Sequence, residues 1–204
     1  MRNQARVLLV EGKDDFHVIS SLMQAYEVPE LFAIQETEGV EGLLARLPVQ
    51  LKATDIERVG VVVDADVDLS TRWRSIRSIL KSYGYADVPL VPSSEGTIVV
   101  EPKFPQFGAW LMPNNSLPGM LEDFAALLIP KDDPVAEYAT SCVGEIPRQL
   151  FIDAHKSKAV MHTWLAWQAD PGTPMGLAIT KKYLDSGSVG AVNFVNWIKA
   201  LFLR

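Results

Sequence analysis

Residues Arg58 to Asp68, RVGVVVDADVD, constrain this chain more than any other stretch. Val59, Val61, Val62 and Val63 make a short β-branched run that does not alternate with polar residues, the mark of a central strand covered on both faces in a parallel sheet. Three acids follow at alternate positions. Because open α/β sheets bind ligands beyond the carboxyl ends of their strands, Asp64, Asp66 and Asp68 are expected to be delivered to such a place. Period two along a strand puts Asp64 and Asp66 on one face, with Cα atoms roughly 6 to 7 Å apart. Carboxylates that close repel unless a cation lies between them, so the pair reads first as a divalent-metal site.

The flanking sequence supplies the rest of an α/β sheet. Arg6 to Val10 (RVLLV) reads as a first buried strand ended by Glu11-Gly12, and from Asp14 the apolar residues Phe16, Ile19, Leu22, Met23 and Tyr26 recur at helical spacing. Leu31 to Ile34 reads as a second strand, EGVEGLLARL as a second helix and the valine run as the third strand. This alternation predicts a mostly parallel sheet with right-handed crossovers. Ser70 to Gly84 is the strongest helix, with Trp73, Ile76, Leu80 and Tyr83 on one face and a basic stripe, Arg74, Arg77 and Lys81, on another. Between residues 85 and 120 prolines interrupt short extended runs at Val88 to Val91, Thr97 to Glu101 and Ala109 to Met112, ending in the loop PNNSLPG. A helix is expected from Gly119 to Asp123 through FAALLI. Helices over Pro134 to Gly144, Phe151 to Ala169 and Val192 to Phe202 then follow, broken at PGTPMG and SGSVG. The division expected is an α/β core over 1–130 and a mainly helical extension over 131–204 packed on it.

Composition narrows the class. A chain of 204 residues, 48% hydrophobic and 22% charged, can bury a full core. Its single cysteine, Cys142, forms no internal disulfide and no cysteine zinc site, which fits a reducing, cytoplasmic setting. No apolar run reaches the length of a membrane span, and MRNQARVLLVEG does not read as a signal peptide. A net charge of −6 argues against nucleic-acid binding through bulk charge but leaves room for a locally basic groove.

If the first and third strands are neighbours, Glu11 lies beside Asp64 and Asp66. Three convergent carboxylates form the hard, oxygen-rich site that Mg²⁺ or Mn²⁺ prefers, able to polarise a phosphoryl oxygen and ready a nucleophile. The plainer reading is that acids after strands cap helices or fill turns. Gly12 reads as a turn requirement rather than a phosphate cradle, since no further glycines follow in a nucleotide-binding pattern. Lys13 lies near enough to meet a phosphate. The stripe Arg74, Arg77, Lys81 is either the wet face of a helix or a surface that tracks a nucleic-acid backbone. His155 and His162 read as ordinary core or surface residues, and Trp164 and Trp167 as core.

These residues resemble the Toprim domain: a strand ending in Glu-Gly with an Asp soon after (VLLVEGKDD), then Asp-x-Asp at the end of a hydrophobic strand some fifty residues on (VVVDADVD). That domain occurs in topoisomerases, bacterial primases, OLD-family nucleases, recombination mediators and a ribosomal-RNA maturase. The chain is most similar to small stand-alone Toprim-like proteins of unknown function, with OLD-nuclease-like features. The likeness is strong over about the first 85 residues and loose to Pro130. It implies a Rossmann-like sheet flanked by helices, with Glu11 as general acid or base or as a metal ligand, Asp64 and Asp66 as the Mg²⁺ pair, and Asp68 as a third acidic position. OLD-type nucleases add an acid on a later helix and a lysine beyond it, places that Glu122 or Asp123 and Lys156 or Lys158 can fill.

The resemblance implies a Mg²⁺-dependent phosphodiesterase acting on DNA or RNA, its acids holding metal and its basic side chains placing the phosphodiester. No DNA-cleaving tyrosine domain is recognisable, which sets topoisomerase activity aside. The competing reading is a non-catalytic metal-binding scaffold in a DNA-repair or defence complex, with a protein partner or a homodimer in place of a substrate. Receiver domains and haloacid-dehalogenase enzymes share local signs. The chain is too long for the first, and its Asp-x-Asp stands on the wrong strand for the second.

Overall fold

The computed structural model describes residues 5–203, and these form β1 (Arg6–Val10), α1 (Lys13–Ala25), β2 (Ala33–Glu36), α2 (Val40–Lys52), β3 (Arg58–Asp64), α3 (Leu69–Ser82), β4 (Thr97–Val99), β5 (Gln106–Met112), α4 (Leu121–Ala126), α5 (Pro134–Gly144), α6 (Lys156–Ala166), α7 (Met175–Thr180) and α8 (Val189–Phe202). The five strands lie in one sheet in the order β2-β1-β3-β5-β4. All neighbours are parallel except β4, which runs antiparallel along the edge. The class is therefore α/β, with a mostly parallel sheet flanked by helices and a helical C-terminal region. Among the described residues no helix is long and apolar enough to cross a membrane.

The valine run explains the layering. Val59, Val61 and Val63 point to one face, where they pack with Leu43, Leu47 and Leu51 of α2 and Trp73, Ile76 and Leu80 of α3. Val62 points to the other, joining Leu8, Val10, Trp110 and the inner faces of α1, α4, α6, α7 and α8. Residues on both sides of position 130 thus share that second core. Each fully buried Leu, Val or Phe there contributes about 1.5–3 kcal/mol.

On the α8 face two glycines set the spacing. Gly60 and Gly108 are partners across β3 and β5. A Cβ on either would stand 3.0 or 2.5 Å from Leu201 Cδ2, so their bare backbones form a trough that lets α8 lie close to the sheet. The C-terminal end of α8 is held by two strand-start arginines. Arg6 donates to the Phe202 carbonyl at 2.6 Å and Arg58 donates to that of Leu201, where positive charge also suits the helix dipole. Helix α7 packs on α1 as tightly, because a Cβ at Gly176 would lie 2.8 Å from the His17 backbone.

Several boundaries differ from expectation for identifiable reasons. The second strand is Ala33–Glu36 rather than Leu31 to Ile34, since Phe32 leaves the strand to stack on Phe202 with ring centroids 4.3 Å apart. Val88 to Val91 forms no strand; the carbonyls of Ala86, Val88 and Pro89 accept instead from Lys81, Arg77 and Trp73 of α3. The expected helix over Phe151 to Ala169 reduces to α6 preceded by a short 3-10 turn, Asp153–His155. Trp164 is fully buried, whereas Trp167, just past the end of α6, is 45% exposed and not a core residue. PGTPMG contains the start of α7 rather than only a break, and α8 begins at Val189, where the Ser188 hydroxyl caps it.

Candidate acidic active site

The strand order reverses between β1 and β3, because β1 connects through α1 to β2 on one side and β3 lies on the other. At such a switch point the crevice beyond the carboxyl ends is open to a ligand. Glu11 stands at the end of β1 and Asp64 at the end of β3, and in register Val10 faces Val62. The Glu11 main chain is fixed by its carbonyl, which accepts from Gly39 N–H at 2.8 Å. Its carboxylate is fixed by Asp64, whose backbone N–H donates to Oε1 at 2.8 Å. Asp64 in turn accepts at Oδ1 from the Leu121 N–H at the start of α4, at 2.9 Å.

Two further acids close on this pair. Asp15 turns inward from the first turn of α1 and accepts from the Gly12 N–H at 3.1 Å. Glu122, from α4, is only 5% exposed and is paired with Lys158 of α6 at 3.3 Å. Burial pushes the Asp64 carboxyl up to about 8, and the charges of Glu11, Asp15, Glu122 and Asp66 push the same way. Burial likewise lifts Asp15 to about 7, with Glu11 and Glu122 adding to it. Glu11 is also raised, chiefly by burial, against the opposing pull of the Asp64 N–H and of Arg72. Four carboxyls from three elements and a strand end therefore face one another with too little positive charge to keep all of them ionised.

Asp66 does not continue the strand. β3 ends at Asp64, and Asp66 takes a left-handed backbone (φ 52°). It exchanges two hydrogen bonds with Gly119, N–H to O at 2.9 Å and O from N–H at 2.7 Å. The expected period-two spacing is lost for that reason, although Asp66 stays close enough to raise both Glu11 and Asp64. Its carboxylate is held by Arg72 Nη2, while Arg72 Nε donates to the Asp64 carbonyl at 2.9 Å. Asp68 is the cap of α3: Oδ1 accepts from Ser70 and Thr71 N–H, and Oδ2 from the Thr71 hydroxyl. These bonds hold its carboxyl below the usual range. Asp123, in the first turn of α4, reaches back instead and accepts from the N–H of the N-cap residue Met120 at 2.8 Å. The plainer reading of acids beyond strands thus applies to these two.

The candidate basic residues divide similarly. Lys13 and Lys156 are exposed, Lys158 reaches Glu122, Arg74 and Arg77 line a groove beside α3, and Lys81 is tied back to the Ala86 carbonyl. Gly12 has φ −150°, which any residue adopts, so a turn requirement does not explain it. His155 and His162 are exposed. Sequence reasoning passed over Asp15 and Arg72 as site residues. Asp15 was signalled by its place in VLLVEGKDD, and Arg72 by standing four residues beyond Asp68 on the helix that Asp68 opens.

In chemistry the donor set is all oxygen, which suits a hard cation. In these side-chain positions each acid is already engaged by a protein donor, and among the described residues no group of three His, Cys, Asp or Glu side chains is set to hold a metal ion. Comparison with known families gives one match, to a model described as a protein of unknown function, DUF3226, over residues 5–203. The chain belongs to that family. No curated protein and no solved structure matches it. The DUF3226 match spans the sheet, the acid centre and the later helices together.

Proposed function

We propose that the acid centre is that of a Toprim-type, Mg²⁺- or Mn²⁺-dependent phosphodiesterase acting on nucleic acid. The observation that carries this reading is the meeting of Glu11, Asp15, Asp64 and Glu122 at the switch point, with Asp66 beside them and Lys158 on Glu122. An acid on a later helix joined to a lysine beyond it is the arrangement that the resemblance to OLD-type nucleases calls for.

Glu11, Asp64 and Asp66 would hold the cation, Asp66 by exchanging Arg72 for it, with Glu122 and Asp15 close at hand. What such a cation supplies is polarisation of a phosphoryl oxygen and activation of a water. The chain's own groups do the rest. Hydrolysis places the water oxygen on phosphorus and breaks the bond to the leaving oxygen, so one proton must leave the water and one must reach the leaving oxygen. Asp15, which stands outside that proposed set of ligands and whose carboxyl burial lifts to about 7, is the group placed to exchange a proton at neutral pH. Lys158, Lys13 and a released Arg72 supply positive charge for the phosphodiester.

The test is nicking of supercoiled DNA and cleavage of an RNA strand with Mg²⁺ or Mn²⁺, for the wild type, Asp64→Ala and Glu11→Gln. A fall of about 100-fold or more in both variants supports the reading. Cation binding without cleavage of either polymer supports instead the non-catalytic scaffold of a repair or defence complex.

A further inference from the structure

Along α3 lies a groove of about 580 Å³ with an uneven lining. One wall is α3, which presents Ser70, Arg74 and Arg77; the other is the segment after Pro89, which presents Leu90 and Val91; Ser116 closes one end. The carbonyls of Ala86, Val88 and Pro89 are bonded in that order to Lys81, Arg77 and Trp73, so the segment runs back along α3 towards its N-terminus. The groove is thereby led to Ser70, two residues past Asp68, and to Ser116, in the loop whose Gly119 pairs with Asp66. That end is the one nearest in the chain to Asp66 and its partner Gly119.

Each wall has chemistry that the fold does not use. Leu90 and Val91 are 78% and 71% exposed, an unusual state for two adjacent aliphatic residues. Arg74 is exposed on the helix surface within reach of the Asp68 charge, and Arg77 donates through Nε to the Val88 carbonyl at 3.4 Å. In a chain of net charge −6, guanidinium groups along one wall and aliphatic side chains along the other match a ligand that is anionic along one edge and apolar along the other. A nucleic-acid strand with unstacked bases has that shape of chemistry. A duplex does not, because its base faces are hidden and its outer surface is phosphate on both strands.

We propose that this groove holds a single-stranded segment of nucleic acid, phosphates on Arg74 and Arg77 and bases on Leu90 and Val91, and feeds it to the acid centre. That the held strand is a substrate rests on the reading of the acid centre given above; that the groove binds it does not.

Fluorescence anisotropy with a labelled oligonucleotide of about 12 nucleotides, as DNA and as RNA and as a blunt duplex, separates the two, provided chelator replaces divalent cation throughout. The expected result is single-strand binding at least about tenfold tighter than duplex binding, with log K falling against log salt by about 0.7 for each phosphate neutralised. Arg74→Ala then lowers that slope by about 0.7. Val91→Ser, which removes apolar surface without adding charge, weakens binding by about fivefold with little change in slope. Both positions are exposed, so both variants are expected to fold. Equal affinity for duplex, binding untouched by either substitution, or no binding of any oligonucleotide overturns the groove, whatever the cleavage assay shows. Binding with these signatures but no cleavage in Mg²⁺ or Mn²⁺ leaves the groove standing and removes the phosphodiesterase.

Discussion

The backbone N–H of Asp64 donates to the carboxylate of Glu11 across the β1–β3 boundary at 2.8 Å. The bond makes the end of one strand the holder of the acid on the other, so the centre is built by sheet register rather than by loops. Because Asp64 contributes that N–H from its main chain, its side chain is replaceable without disturbing Glu11. Asp64→Asn is accordingly expected to keep the fold while losing its proton and its negative charge.

The pH dependence of stability follows from the two most shifted carboxyls. Asp64 and Asp15 rise from 3.8 to about 8 and about 7 on folding. Between those limits the folded chain holds more protons than the unfolded one, so stability is greatest below about pH 4 for these groups and is lost as pH climbs through 7 and 8. In chelator the melting temperature should fall between about pH 5.5 and pH 8.5, and Asp64→Asn should flatten the decline. An unchanged slope in that variant would show that Asp64 is not responsible.

On the proposed reading Mn²⁺ would displace protons from the same carboxyls, so its stabilising effect should run the other way, larger at about pH 8.5 than at about pH 5.5. Thermal shift with and without Mn²⁺ at both values measures it. A shift independent of pH would place the cation somewhere other than this cluster.

Arg72 occupies the carboxylate of Asp66, and the proposed cation would have to replace it there. Arg72→Ala is expected to tighten Mn²⁺ binding about fivefold, the factor corresponding to ~1 kcal/mol for a partly exposed pair. Isothermal titration calorimetry reads this directly, and weaker binding in the variant would mean that Arg72 assists the cation instead of competing with it.

Glu122 is buried and its partner Lys158 is half exposed, so water weakens the pair. Lys158→Met should cost about 1 kcal/mol at neutral pH, largely through the carboxylate left behind. Adding Glu122→Gln should recover most of that loss in denaturant titrations. Additive costs in the double variant would show that the two side chains do not act as a pair.

Gly176→Ala brings a methyl group to 2.8 Å from the His17 main chain, and main chain yields less than a side-chain tip. A loss of about 1–3 kcal/mol is expected, or roughly 2–4 °C in melting temperature per kcal/mol for a chain of this size. Gly144, with nothing within 4 Å of its added Cβ, is the control that should tolerate alanine.

The parts of the site readable in the sequence are those set by pattern and register. Val59 to Val63 marks a doubly covered strand, and a neighbouring first strand then places Glu11 beside Asp64, as found. What was not readable depends on where helices are rotated and which loops meet. Asp15 faces inward because α1 turns its buried stripe of Val18, Ile19 and Leu22 to the sheet and carries the acid around with it. Asp66 leaves the strand because it pairs with Gly119, more than fifty residues away, a partner no local pattern names. Glu122 and Lys158 are likewise remote in sequence, and only the packing of α4 on α6 brings them together. Ala33–Glu36 was displaced by two residues because Phe32 has its own partner in Phe202, at the far end of the chain.

The trough at Gly60 and Gly108 has a consequence for how the protein comes to exist in the cell. The helix that roofs it is made of residues 189 to 202, so during synthesis the strip of β3 and β5 at the two glycines stays uncovered until those residues have left the ribosome. Chains arrested before Val189 should present that unroofed surface to chaperones and proteases, while α2 and α3 already cover the opposite side. The closing of the trough is thereby timed by the emergence of α8.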